Sequence, residues 1–123
     1  MSHHPTLKEA FEIRMKDPVF AARYETMSSV GQQLIRNYPY EVYTIKDGSP
    51  GPFLLPGTIV HLQDYETEGK QVKIVIKPEN KMPQMIELEK ELVKSHMMTA
   101  QQMHDKAIVF VISPDWLKPY FEE

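Results

Sequence analysis

Thr58-Ile59-Val60-His61-Leu62-Gln63 and Gln71-Val72-Lys73-Ile74-Val75-Ile76-Lys77 are two stretches of alternating character joined by a short polar connection. Successive strand residues point to opposite sides, so Val60 and Leu62 share one face with Val72, Ile74 and Ile76. Lys73 and Lys77 take the other face, and the pair reads as a hairpin in a sheet with one buried and one wet side. Gly69 is the residue expected to supply a positive φ in the connection.

On the N-terminal side, Glu41 to Lys46 sets Val42 and Thr44 against Tyr43 and Ile45, a further strand. Thr6 followed by Glu9 is a capping-box pattern that opens a short helix carrying Leu7, Ala10 and Phe11. Asp17-Pro18 restarts the chain, because Asp accepts free N–H groups at an N-cap and Pro fits the first helical position. Phe20, Tyr24, Met27, Gly31 and Leu34 then fall on one stripe and predict a single long helix, with Gly31 allowing close packing.

On the C-terminal side, Pro78 to Pro83 reads as a loop. From Gln84 to about His96 two patterns compete. Met85, Ile86, Leu88, Leu92 and Val93 fill one side of a helix, while Ile86 and Leu88 alternate with Glu87 and Glu89 as in a strand. Length and the helix-forming composition favour the helix, and Thr99 is placed to cap another short turn. Ala107 to Ile112 is apolar on both faces and predicts a central strand covered on both sides. Ser113-Pro114 caps an expected last helix with Trp116 and Leu117, which Pro119 cuts short. The expected order is α-α-β-β-β-α-β-α. This is an α+β domain whose mostly antiparallel sheet of about four or five strands carries helices on one face, compatible with a small barrel. Residues 1–123 form one domain, with residues 1–5 expected to be a disordered tail.

The chain has 123 residues, 41% of them apolar, 14 basic against 17 acidic side chains and no cysteine. Without thiols there are no disulfides, thiolate nucleophiles or thiolate metal sites, and a reducing, cytoplasmic setting is expected. A net charge of −3 with interleaved signs argues against generic nucleic-acid affinity, which needs clustered cations. The apolar run Ala107 to Ile112 is far shorter than the roughly 20 residues of a spanning helix, and the polar start Ser2-His3-His4-Pro5 does not resemble an export signal.

Ser2-His3-His4 has the spacing for square-planar Cu(II) or Ni(II) binding if Met1 is removed, a property of any chain starting this way. His96-Met97-Met98 and Met103-His104 resemble a soft copper site, but on one helix the two histidines diverge by about 80°. A Met-rich core or contact surface accounts for them more simply. Ser28, Ser29, Ser49, Ser95 and Ser113 lie in no nucleophile-elbow context. Gly48, Gly51 and Gly57 are separated by prolines, which lack the N–H groups of a phosphate loop. Glu87, Glu89 and Glu91 form a solvated helix face, with Glu89 falling inside the apolar arc and calling for a buried partner. His61, on the face opposite Val60 and Leu62, is the centre of an alternative: a small metal-dependent or acid–base enzyme with Asp64 or Glu66 orienting the imidazole.

Shape and surface features remain. Asp47 to Gly57 holds Phe53-Leu54-Leu55 between prolines, which lower the entropy cost of presenting apolar groups. Tyr38, Tyr40 and Tyr43 and the Trp116-Leu117 and Tyr120-Phe121 pairs add aromatic area. The leading expectation is a non-enzymatic protein–protein interaction or assembly module: an adaptor, inhibitor or structural subunit. Tyr40, Tyr43, Phe53, Leu54, Leu55 and Trp116 are its contact residues. It binds a protein partner or a second copy, without membrane, metal or cofactor, and a nucleic-acid-associated regulator is the remaining alternative.

Overall fold

A computed structural model describes residues 4–48, 54–66, 70–94 and 99–121. Its centre is the predicted hairpin. β1 (Val42–Ile45), β2 (Ile59–Glu66), β3 (Gln71–Ile76), β4 (Ile108–Ile112) and β5 (Leu117–Pro119) form one antiparallel sheet in the order β4-β3-β2-β1-β5. The sheet is open, so the small barrel is not formed: β4 and β5 are its two edges.

Register explains the core. Tyr43 pairs with Val60, Leu62 with Ile74, Tyr65 with Val72, Ile74 with Phe110 and Ile45 with Leu117, so one face collects the apolar set. A shift between Leu62 and Asp64 keeps Tyr65 on that face despite the change of spacing along β2. Val60, Val72, Ile74 and Ile76 are wholly buried there. Each side chain contributes about 1.5–3 kcal/mol by leaving water. Leu34 and Ile35 from one helix and Met85 from another close over the same face.

The N-terminal half is helical where capping says it should be. Thr6 and Glu9 make the predicted reciprocal cap on α1 (Leu7–Arg14), and Asp17 caps α2 (Pro18–Thr26). The single long helix predicted over Phe20 to Leu34 is instead two helices. Met27 is extended and Ser28 accepts the N–H of Gly31, starting α3 (Ser29–Asn37). The apolar stripe survives the break: Phe20, Tyr24 and Met27 pack on the core beside Leu34. A serine N-cap outweighed the continuous periodicity.

Residues 84–93 are helical, within α4 (Pro83–Val93), and Thr99 caps α5 (Ala100–His104) with a reciprocal bond to Gln102. The loop after β3 contains a 3-10 turn, Pro78–Asn80. The expected last helix shrinks to a 3-10 turn, Pro114–Trp116, after which Leu117 enters β5. Gly69 and His96 lie outside the described residues, and Lys70 has the positive φ of 52° at the start of β3.

Ala107 to Ile112 was expected at the centre of the sheet, yet among the described residues β4 pairs with β3 alone and lies at an edge. Val109 and Val111 are consequently 48% and 47% exposed. The partner expected for Glu89 is Lys81, whose Nζ lies 2.8 Å from Glu89 Oε2 with both side chains buried. The same ammonium donates to the carbonyls of Met103 at 3.0 Å and His104 at 2.8 Å, so all three of its protons are used. That one side chain ties α4 to the end of α5. No helix among the described residues is long and apolar enough to cross a membrane.

Candidate functional site

The face of the sheet opposite the core holds the unassigned surface. Across it runs one rung, Val42 beside His61, His61 beside Val75 and Val75 beside Val109. Thr44 and Ile59 pair on one side of the rung and Lys73 and Val111 on the other. Among the described strand residues of this face none is buried. Alternation put Lys73 and Lys77 here as foreseen, but β-branched residues occupy most of the remaining positions.

At one end this face becomes concave. Tyr40 donates its hydroxyl to the Pro5 carbonyl at 2.7 Å and packs edge-on against Phe121, 5.3 Å between ring centroids. The His4 ring lies 4.4 Å from Phe121, and the Tyr120 N–H donates to Val42. Both ends of the described chain are therefore fastened along β1 and β5. Of the expected tail, His4 and Pro5 are held, while residues 1–3 lie outside the described residues. This fastening raises one wall of a concavity of about 640 Å³ whose floor includes Val42, Ile59 and His61 and whose far wall includes Lys77, Glu79 and Asn80.

His61 Nδ1 is buried and has no hydrogen-bond partner. Burial, reinforced by the Lys77 ammonium, holds the imidazole below its usual range, against the weaker opposing pull of Glu79 and Glu41. The neutral form of the ring is thereby favoured, with an unused polar atom at the concavity. The orienting carboxylates expected for it are elsewhere. Asp64 is engaged by Arg23 of α2 and by the Tyr65 N–H. Burial raises the Asp64 carboxyl, but those hydrogen bonds outweigh it and hold it below the ordinary range. Glu66 is exposed, next to Gln71 at the far end of the hairpin. The His61–Asp64 or Glu66 pair is thus not assembled, and the carboxylates felt by His61 are Glu79 and Glu41. No group of three or more metal-ligating side chains is found among the described residues.

The expected contact residues fare differently from one another. Leu54 is buried in the core and Tyr43 is 1% exposed, its hydroxyl accepting the Tyr40 N–H at 3.0 Å, so neither presents area to a partner. Tyr40 is half-buried, spent on Pro5 and Phe121. Trp116 packs against the core beside Gly48, and Leu55 is half-buried. Phe53 lies outside the described residues. The tyrosines form an internal latch, with burial raising the Tyr43 hydroxyl far beyond physiological pH and the Tyr65 hydroxyl to about 12. Sequence reasoning foresaw one wet face but missed its apolar extension onto β4, because it read Val109 and Val111 as interior. The one signal available was the free alternation of Val42, Ile59, His61 and Val75 against core residues. No protein-family model, curated protein or solved structure matches this chain.

Proposed function

We propose that this protein is a non-enzymatic protein–protein interaction or assembly module of the cytoplasm, and that its contact surface is the open face of the sheet towards β4. The observation that carries this is the exposure of Val109 and Val111, 48% and 47%, on a strand with no charged residue. Isolated exposed valines are ordinary, but here they continue the half-exposed Val75, Ile59 and Val42 across four strands. Only His61 interrupts this row, with Lys73 and Thr44 beside it, and a largely apolar exposed face of this kind marks a binding surface. The absence of thiols supports a reducing setting.

Site-specific photo-crosslinking in cells tests the proposal. A photoreactive residue at Val111 is expected to give a discrete protein adduct that the same probe at Glu12, exposed on α1, does not give. Identical patterns from the two positions would remove the proposal.

A second function is favoured by one observation, the unpartnered Nδ1 of His61 at the concavity. A small polar ligand with a donor would satisfy it, with Lys77 and Asn80 as further contacts. In that case His61 acts as a neutral acceptor or general base. An NMR titration of His61 that is unmoved by any small-molecule mixture would leave the concavity without a role.

A further inference from the structure

We infer that the protein pairs with a second copy of itself, β4 against β4, to extend the sheet across a two-fold axis at Phe110. This rests on the interaction role proposed above and names the partner. An edge strand presents a row of N–H and C=O groups ready for another strand. Native edges are protected by charge, proline, a bulge or a covering element. β4 is Ile108-Val109-Phe110-Val111-Ile112, with none of these within it, and its pairing with β3 runs without a register shift. Among the described residues its backbone makes no hydrogen bond besides that ladder.

The sequence of the strand selects the occupant and the register. A two-fold axis normal to a sheet places equivalent edges antiparallel. The outward-pointing groups must also meet outward-pointing groups, which admits only registers centred on a residue. Centring on Phe110 sets Ile108 opposite Ile112 and Val109 opposite Val111, so every facing pair is apolar. Centring on Val109 would put Lys106 against Ile112, and centring on Val111 would draw Pro114, which has no N–H, into the ladder. The charges agree with the first choice. Lys73, which pairs with Val111 on β3, sits behind the edge, so the two copies of Lys73 are separated by both β4 strands. On the open face four valines, two from each copy, then adjoin. On the core face the half-exposed Ile108 and Phe110 gain cover.

Five residues a side make about four to six hydrogen bonds. The contact belongs to the small class, below about 1,200 Å², so a weak, concentration-dependent dimer is expected. A heterologous strand would use the same backbone groups. The symmetric apolar register favours the second copy.

Sedimentation equilibrium from about 5 to 500 μM, a range suited to interfaces of this size, is expected to show the average mass rising from one chain towards two. Val109→Lys should weaken dimerisation at least tenfold, whereas Val19→Lys, at an exposed site on α2, should not. Circular dichroism confirms that each variant is folded. Because the chain has no cysteine, disulfide trapping reports register cleanly. Val109→Cys mixed with Val111→Cys should cross-link under oxidation far more than either variant alone, since directly facing Cβ atoms lie within reach and diagonal ones do not. A strictly monomeric protein throughout the range would overturn the inference. So would a dimer indifferent to Val109→Lys, or cysteine variants that cross-link equally alone and mixed. Monomers combined with a Val111 adduct to a different protein would sink the second copy but leave the interaction role standing. Monomers with no adduct would sink both.

Discussion

Replacing Lys81 by Met should be the most damaging conservative-sized change in the protein. The substitution removes an ammonium with Glu89 Oε2 at 2.8 Å and two backbone carbonyls at the end of α5, and leaves the Glu89 side chain, 7% exposed, without its partner. Glu89 Oε1 already lacks a hydrogen bond, so no alternative donor stands by. Breaking a buried pair from one side costs about 3–5 kcal/mol. That is a large share of the roughly 5–15 kcal/mol stabilising a whole domain. With a urea slope of about 1.5 kcal/mol per molar, the unfolding midpoint should fall by about 2 M or more. Adding Glu89→Met removes the stranded carboxylate and should restore about half of the loss. The carbonyls of Met103 and His104 stay unmet in the double variant, at about 1 kcal/mol each, so recovery is incomplete. Lys90→Met, which breaks only the exposed pair with Glu87, should change stability by less than about 0.5 kcal/mol. Urea titrations followed by Trp116 fluorescence supply the comparison. A Lys81→Met midpoint within 0.5 M of the parent (roughly 1 kcal/mol), or a double variant no more stable than the single, would refute the reasoning.

His61 titrates lower in the folded than in the unfolded chain, so the unfolded state takes up more protons on acidification. Its contribution is present above pH about 6.5 and is lost as pH falls through the lower folded value. His61→Asn should therefore flatten the fall in stability between neutral and acid pH, and an unchanged slope of urea midpoint against pH would count against the buried imidazole. Thr58 is wholly buried with an unpartnered hydroxyl, so Thr58→Val should stabilise by about 1 kcal/mol, and any measurable loss in a thermal melt contradicts that orphaned state. Tyr65→Phe removes a hydroxyl that donates to the Tyr38 carbonyl and should cost about 1 kcal/mol in the same assay.

How far the chain could be read from its residues depends on which forces were local. The hairpin was legible because Thr58 to Leu62 and Val72 to Ile76 alternate, and Val60, Leu62, Val72, Ile74 and Ile76 all meet the core. Capping residues Thr6, Asp17 and Thr99 announced their helices because the hydrogen bonds they make span only a few residues. The edge position of β4 was not legible. An apolar run on both faces is what a central strand looks like, and strand order depends on where β5 docks. β5 itself was hidden, since Leu117-Lys118-Pro119 is short and contains a proline that is tolerated only at an edge. Leu54 misled for a related reason: a proline-framed apolar triplet reads the same whether it points outward or folds onto the core. At the candidate site, alternation placed His61 on the open face, where it lies, while its neighbours Lys77, Glu79 and Asn80 arrive through a turn whose direction no local pattern encodes.

The fastening of Pro5 by Tyr40 and of His4 against Phe121 has a practical consequence. His4 and Phe121 both line the His61 concavity beside β5, so a bulky group joined next to either residue stands close to its mouth. The β4 edge stands four strands away, about 19 Å at ordinary strand spacing. Fusions should therefore obstruct small-molecule access to His61 while leaving strand-to-strand pairing free.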